Sequence, residues 1–422
     1  MTALSGPIVF NNSGSGSDTQ ASGCGPSTAI AISLQTSATS NVANASWTGT
    51  LSAGDLVYIP DAAFTGRRFN VISVVGTGQL TFDNAWDDSS SGTTGYAGGK
   101  RAGSDLSTDA IFTEAPDGAV IEIEYTGTDY TNTASFSPTC GTITAPVTIK
   151  GTGSDKPRIC SPAGNIQCVR IGAGAYIIED LQFIGKKTSG GAIGIWTMYG
   201  KPIYLIGRRL VFKSEQLNNG SSLVNDGQNT TLQPQIFEDC LFDGNGGKTA
   251  QGYNRSGGTA RQGPTFVGCT FKNLTDCGIF FGDSRHTVIK NNLFIDCNDG
   301  IEGQADTYGQ NFIEGNIFYD LDGDGIKFQR DDLWANHIQG NIFHTIGGNG
   351  ISAPSAYDSS KLSIMDHNAF YNVTGSNFSN LTSGSNNITL TADPFVDAAN
   401  GDFNLNADGG ATLRSTNYTI GG

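Results

Sequence analysis

The chain has little charge. Of its 422 residues only 24 are Lys or Arg, against 39 Asp or Glu, for a formal net charge of −15. A chain this short of cations is not built for phosphate backbones, so no nucleic-acid partner is expected. Histidine is scarcer still. His286, His337, His344 and His367 share no motif, so they read as turn or surface residues and not as a metal cluster. The eight cysteines include no CxxC pair, the spacing zinc sites commonly use. No apolar run is long enough to span a membrane. The start, "MTALSGPIVFNNSGSGSD", has neither the basic opening nor the apolar stretch of a secretory leader. The expectation is synthesis in a cytoplasm, no membrane insertion, and free buried thiols in place of disulfides. On the same ground the sequons at Asn273, Asn372 and Asn387 read as turns and not glycan sites. Nucleophile elbow, phosphate loop and dinucleotide fingerprint are all missing, and no cofactor is expected.

What the chain has is glycine, 58 residues of it, and a repeat. The segments "IFEDCLF", "TFVGCTF", "VIKNNLF", "FIEGNIF", "HIQGNIF" and "IMDHNAF" close on Phe242, Phe271, Phe294, Phe318, Phe343 and Phe370, separated by 29, 23, 24, 25 and 27 residues. Two earlier copies end on Phe183 and Phe212. A period of this length marks a solenoid, and short segments rich in Ile, Phe and Val read as strands. Each unit starts with a short strand. A corner follows, as in Asn291-Asn292, Gly315-Asn316, Gly340-Asn341 and His367-Asn368. Gly and Asn tolerate the left-handed backbone a tight corner needs, and stacked laps would put Asn292, Asn316, Asn341 and Asn368 in one hydrogen-bonded column. Cys240 and Cys269 take the same place earlier, while Cys277 and Cys297 fall in the turns that follow. A second strand carries the inward Phe. A third carries Ile279, Ile301, Ile326 and Ile351, also inward.

Three short strands per lap, Asn corners and inward columns of Phe and Ile resemble the right-handed parallel β-helix of the pectate-lyase-like superfamily. The fold expected is all-β: a β-helix solenoid over 105–395, a small antiparallel β domain over 1–104, and a closing segment over 396–422. A short helix from about Asp105 to Glu114 would cap the open end of the core. The stretches "FNNSGSGSDTQASGCGPSTA" and "YAGGKRAGSDL" resemble β-helix proteins of tailed bacteriophages.

One lap holds a second pattern. In "FYDLDGDGIKFQRDD", Asp320, Asp322 and Asp324 nearly spell a calcium loop. An EF-hand puts its apolar residue at the eighth place, Glu at the twelfth, and helices on both flanks. Here Ile326 is at the seventh, Asp331 at the twelfth, and the flanks are strands. A structural turn is the preferred reading, with calcium as the alternative.

A β-helix serves lyases, glycosidases, adhesins and scaffolds alike, so function must come from a site. Phe280, Glu302, Lys327 and Ser352 should form one outward column. Glu302 with Asp331 or Asp306 would supply the paired carboxylates of glycoside hydrolysis, and Tyr308, Arg330 and Trp334 would bind the sugar. The plainer reading makes Glu302 and Lys327 a surface ion pair on adjacent laps. The phage resemblance implies a non-enzymatic virion protein, a capsid decoration or fibre-like component. It also implies a homotrimer in contact with capsid or tail proteins. The alternatives are a tailspike-type depolymerase and an adhesin, each facing a host surface glycan.

Overall fold

Two corner positions recur along the repeat, and both are left-handed. At the first, Arg209, Asp239, Asn291 and His367 have φ of 51°, 54°, 55° and 53°, and Gly268, Gly315 and Gly340 take the same place. The second falls two residues after the inward phenylalanine. There Asn273, Asp296, Asp320, Thr345 and Asn372 have φ of 60°, 49°, 53°, 56° and 53°. Asn, Asp and Gly carry the smallest penalty in this region, so their recurrence fixes where each lap bends. Asp320 is thus a corner residue of a lap.

The computed structural model describes residues 3–11, 22, 24–26, 28–37, 39–60, 69–83, 85–86, 89–97, 100–102, 105–109, 111–161, 168–171, 174–185, 196–198, 203–215, 222–226, 235–246, 249–255, 261–282, 284–303, 310–329, 336–354 and 364–415. The chain divides into two units, residues 1–162 with 171–182, and residues 163–170 with 183–422.

The second unit is a parallel β-helix. One wall is a ladder of strands Ile203–Arg208, Gln235–Glu238, Thr265–Val267, Val288–Lys290, Phe312–Glu314, His337–Gln339 and Ile364–Asp366. The other strands of each lap form a second parallel ladder, in which Phe242, Phe271, Phe294, Phe318, Phe343 and Phe370 pair in register. Their rings stack with centroids 4.4–5.0 Å apart, the spacing of the strands themselves. Ile279, Ile301, Ile326 and Ile351 form the companion column, fully buried. The glycine before each isoleucine has a packing reason. A Cβ at Gly278, Gly300, Gly325 or Gly350 would come within 2.4–2.5 Å of the facing Phe ring.

The asparagine column forms as expected. Nδ2 of Asn292, Asn316, Asn341 and Asn368 donates to Oδ1 of the next lap's Asn at 3.0, 3.0, 3.0 and 3.1 Å, the series ending on Asn387. Each of these amides also donates to a main-chain carbonyl. The main-chain N–H of Cys269 donates to Asn292 Oδ1, which places Cys269 in the same column. All eight cysteines are buried and unbridged.

Two readings change. Cys277 and Cys297 lie within continuous strands, Thr270–Phe281 and Leu293–Gly303, because the lap bends at one left-handed residue without leaving the ladder. His344 is buried and not a surface residue. It lies between Tyr319 and Tyr371, against Phe395, with Nε2 3.1 Å from Asp393 Oδ1. The closing segment covers it. Strands Phe395–Asp397 and Asp402–Leu405 pair antiparallel, and helix Gly409–Ser415 buries Leu413 with Phe395, Leu390 and Ala369.

The first unit contains a closed antiparallel barrel, in the order Ile30–Thr36, Val42–Trp47, Gln79–Phe82, Phe69–Gly76, Leu56–Tyr58, Ser90–Ala97. Ile32, Leu34, Ile72, Leu80, Phe82 and Trp86 fill it. Closure leaves no free sheet edge. Parallel strands follow the same chain: Ile8–Asn11 pairs with Val120–Glu124, and Val120–Glu124 with Val147–Thr152. The helix expected from Asp105 to Glu114 is broken into a 3-10 turn, Leu106–Thr108, and one α-turn, Ile111–Glu114. Asp105 caps the first, and Ile111 and Phe112 of the second are buried.

Candidate functional site

The outward residues of the second ladder form two adjacent columns. One runs Ser222, Gln251, Cys277, Asp299, with Asn254, Phe280, Glu302, Lys327 and Ser352 beside it. Asp324 and Asn349 continue the first column by hydrogen bonding. Asp299 Oδ1 accepts the Asp324 N–H at 2.6 Å, and Asp324 Oδ1 accepts the Asn349 N–H at 2.6 Å. Asn349 Oδ1 in turn accepts from Ser376 N at 3.0 Å. Each side chain thus holds the main chain of the following lap.

The centre of the patch is acidic. Lys327 Nζ donates to Asp299 Oδ2 at 2.8 Å and to Glu302 Oε1 at 2.9 Å, and Gln329 Nε2 donates to Glu302 Oε2 at 2.7 Å. Ser352 Oγ donates to Asp324 Oδ2 at 2.5 Å. Asp276 Oδ2 accepts from Gln251 Nε2 at 2.8 Å. The Glu302–Lys327 pair expected from register is therefore present, but it is not a solvated surface pair. Glu302 is only 4 % exposed and Asp299 2 %. An outward direction set by strand period says nothing about depth, and the neighbouring laps bury both carboxylates.

Burial pushes the Glu302 carboxyl up to about 7, helped by the Asp299 carboxyl beside it and opposed by Lys327. Burial works against the Lys327 charge too, but its bonds to Asp299 and Glu302 outweigh it and hold its pKa above the usual lysine range. The Cys277 thiol is held well above the usual range by burial and by the charges of Asp276, Glu302 and Asp299.

Of the residues proposed from sequence, Glu302 lies at this centre. Asp306, Tyr308, Arg330, Asp331 and Trp334 lie outside the described residues. Asp320, Asp322 and Asp324 do not converge. Asp320 is a corner, and Asp324 bonds Asn349 and Ser352. Among the described residues, the His, Cys, Asp and Glu side chains that do converge are Asp276, Cys277 and Glu302, whose ligand atoms lie within 4.8 Å of one another. Asp276, Cys277 and Asp299 carried no sequence signal, since they join the patch only through stacking of laps. A cavity of about 580 Å³ in the first unit is lined by Leu4, Pro7, Phe69, Pro116, Val120 and Lys150 among others, and none of the column residues lines it.

The fold and this geometry define a class. Residues 213–418 match the family described as right handed beta helix region, in agreement with the parallel β-helix of the second unit. No curated protein sequence matches it. Solved structures similar to it include the Dettilon tailspike protein gp208, at 14% identity and TM-score 0.43, covering 64% of this chain and 60% of that one. Pectate lyase Pel9A is similar at 15% identity and TM-score 0.37, covering 74% and 81%. The tailspike gp49 of Acinetobacter baumannii bacteriophage Fri1, a capsular polysaccharide depolymerase, is similar at 9% identity and TM-score 0.39, covering 64% and 57%. The chain thus spans about 60% of the length of the Dettilon tailspike. These likenesses concern the fold. No helix among the described residues is long and apolar enough to cross a membrane.

Proposed function

We propose that the protein is a non-enzymatic structural component of a bacteriophage virion, a capsid decoration or fibre-like protein. The observation that carries this reading is how the patch uses its carboxylates. Both oxygens of Glu302, Asp299 and Asp324 accept hydrogen bonds from the laps beside them. They join laps, as mortar does. The N-terminal likeness to tailed-phage β-helix proteins supplies the virion setting. In this reading residues 1–104 attach to the particle, residues 105–395 project as the β-helix, and 396–422 close it. The assembly is a homotrimer seated on capsid or tail proteins.

A second reading, a glycan depolymerase, is favoured by one feature. A carboxyl with its pKa near 7 is suited to proton transfer at neutral pH. Cryo-electron microscopy of particles from a lysate producing the protein tests the first reading. Density repeated over the capsid lattice is the expected result, and absence from every particle overturns it. Digestion of host-surface glycan by the purified protein, abolished in Glu302→Gln with the fold intact, would establish the second reading instead.

A further inference from the structure

The buried thiols of this protein mostly have a hydrogen-bond acceptor. Cys24 donates to Gly6 O at 3.2 Å, Cys140 to Phe112 O at 3.2 Å, Cys160 to Asp129 Oδ2 at 3.2 Å, and Cys297 to Ile295 O at 3.3 Å. Cys240 and Cys269 also donate to main-chain carbonyls, at 3.3 and 3.4 Å. Cys277 is fully buried and its thiol makes no hydrogen bond among the described residues. It faces carboxylates instead, with Asp276 and Glu302 each offering an oxygen within 4.8 Å. One Asp276 oxygen is held by Gln251, and the other accepts no hydrogen bond among the described residues. The Glu302 oxygens each accept one bond and keep a second lone pair.

The local charge points the same way. Among the described residues, three carboxylates, Asp276, Asp299 and Glu302, meet one ammonium, Lys327. A group with two buried carboxylates and a half-buried third lacks positive charge. The donor set is one sulfur and two carboxylate oxygens on adjacent laps. That is a mixed set for a thiophilic divalent ion and leaves a fourth position open.

We propose that Asp276, Cys277 and Glu302 form a binding site for a thiophilic divalent cation, zinc in type, which ties two successive laps together. Binding would release the Cys277 proton to solvent, leaving the thiolate on the metal. Lys327, bonded to the same Glu302, competes for the site as its resident cation.

The test uses the full chain, stripped of metal and titrated with Co²⁺ as the probe. One equivalent should produce a thiolate-to-cobalt charge-transfer absorption and the strong visible bands of a four-coordinate ion, together with a higher melting temperature. Cys277→Ser should remove the charge-transfer absorption, Asp276→Asn should weaken binding about tenfold or more, and Lys327→Met should tighten it. Wild-type protein without the sulfur–cobalt absorption overturns the proposal, and so does an absorption that persists in Cys277→Ser. If Cys277→Ser does not fold, the half-buried Asp276→Asn decides. Unchanged affinity in that variant overturns the site.

Discussion

The β-helix carries two polar ladders, and they differ in chemistry. The corner ladder, Asn292 to Asn387, is made of amides. An amide both donates and accepts, so each rung satisfies the next and the series extends without limit. The outer ladder around Asp299, Glu302 and Asp324 is made of carboxylates, which only accept. It must import donors: main-chain N–H groups, Ser352, Gln329 and above all Lys327. One ladder is neutral and self-complementary. The other holds charge in a buried place and, among the described residues, has Lys327 as its ammonium. A polar column is thus stable by repetition only when its side chain is its own partner.

Variants can break this comparison from either side. The largest effect is expected at Asn316, fully buried, whose Oδ1 accepts from Asn292 and whose Nδ2 donates to Asn341 and to Ile289 O. Asn316→Ala leaves several buried groups unsatisfied and should cost about 4 kcal/mol in denaturant unfolding. Lys327→Met should cost about 3 kcal/mol, because removing one partner strands buried carboxylates, though its partial exposure lets water soften the loss. An unchanged midpoint for Lys327→Met would mean that the acidic ladder holds itself together.

The next effect is a pH dependence. The Glu302 carboxyl rises from an ordinary 4.5 to about 7 on folding, so folding favours its protonated form. Its contribution is fully present below about pH 4.5 and is lost as pH rises through 7, a fall of up to about 3 kcal/mol. Denaturation measured across this range in metal-free buffer should show the decline, and Glu302→Gln should flatten it. The smallest effect is expected on the other wall. Lys290 and Glu314 pair at 3.8 Å in the open, and Lys290→Ala should change stability by less than about 0.5 kcal/mol.

The fold was legible because it rests on repetition. Phe294, Ile301 and Asn316 recur at one period, and a period is a property of sequence. The column of Phe280, Glu302, Lys327 and Ser352 was legible for the same reason. Depth was not. Glu302 is buried by its neighbours above and below, and strand alternation reports direction only. Cys277 and Asp299 were hidden differently. They sit at the bend between two strands, where the sequence suggested a variable turn, and the structure keeps them in the ladder. His344 was misplaced because its burial depends on residues distant in sequence, Asp393 and Phe395, that fold back over it.

The stacking of identical contacts has a consequence for evolution. From Asn292 onward, one lap of about 25 residues meets its neighbours through the same ring, amide and aliphatic columns. Adding or removing a whole lap changes the reach of the β-helix by one strand spacing, about 4.8 Å, and leaves every column in register. A fraction of a lap would put asparagine where phenylalanine belongs. The molecule is a ruler with one graduation, and a lineage can retune its length only in whole steps.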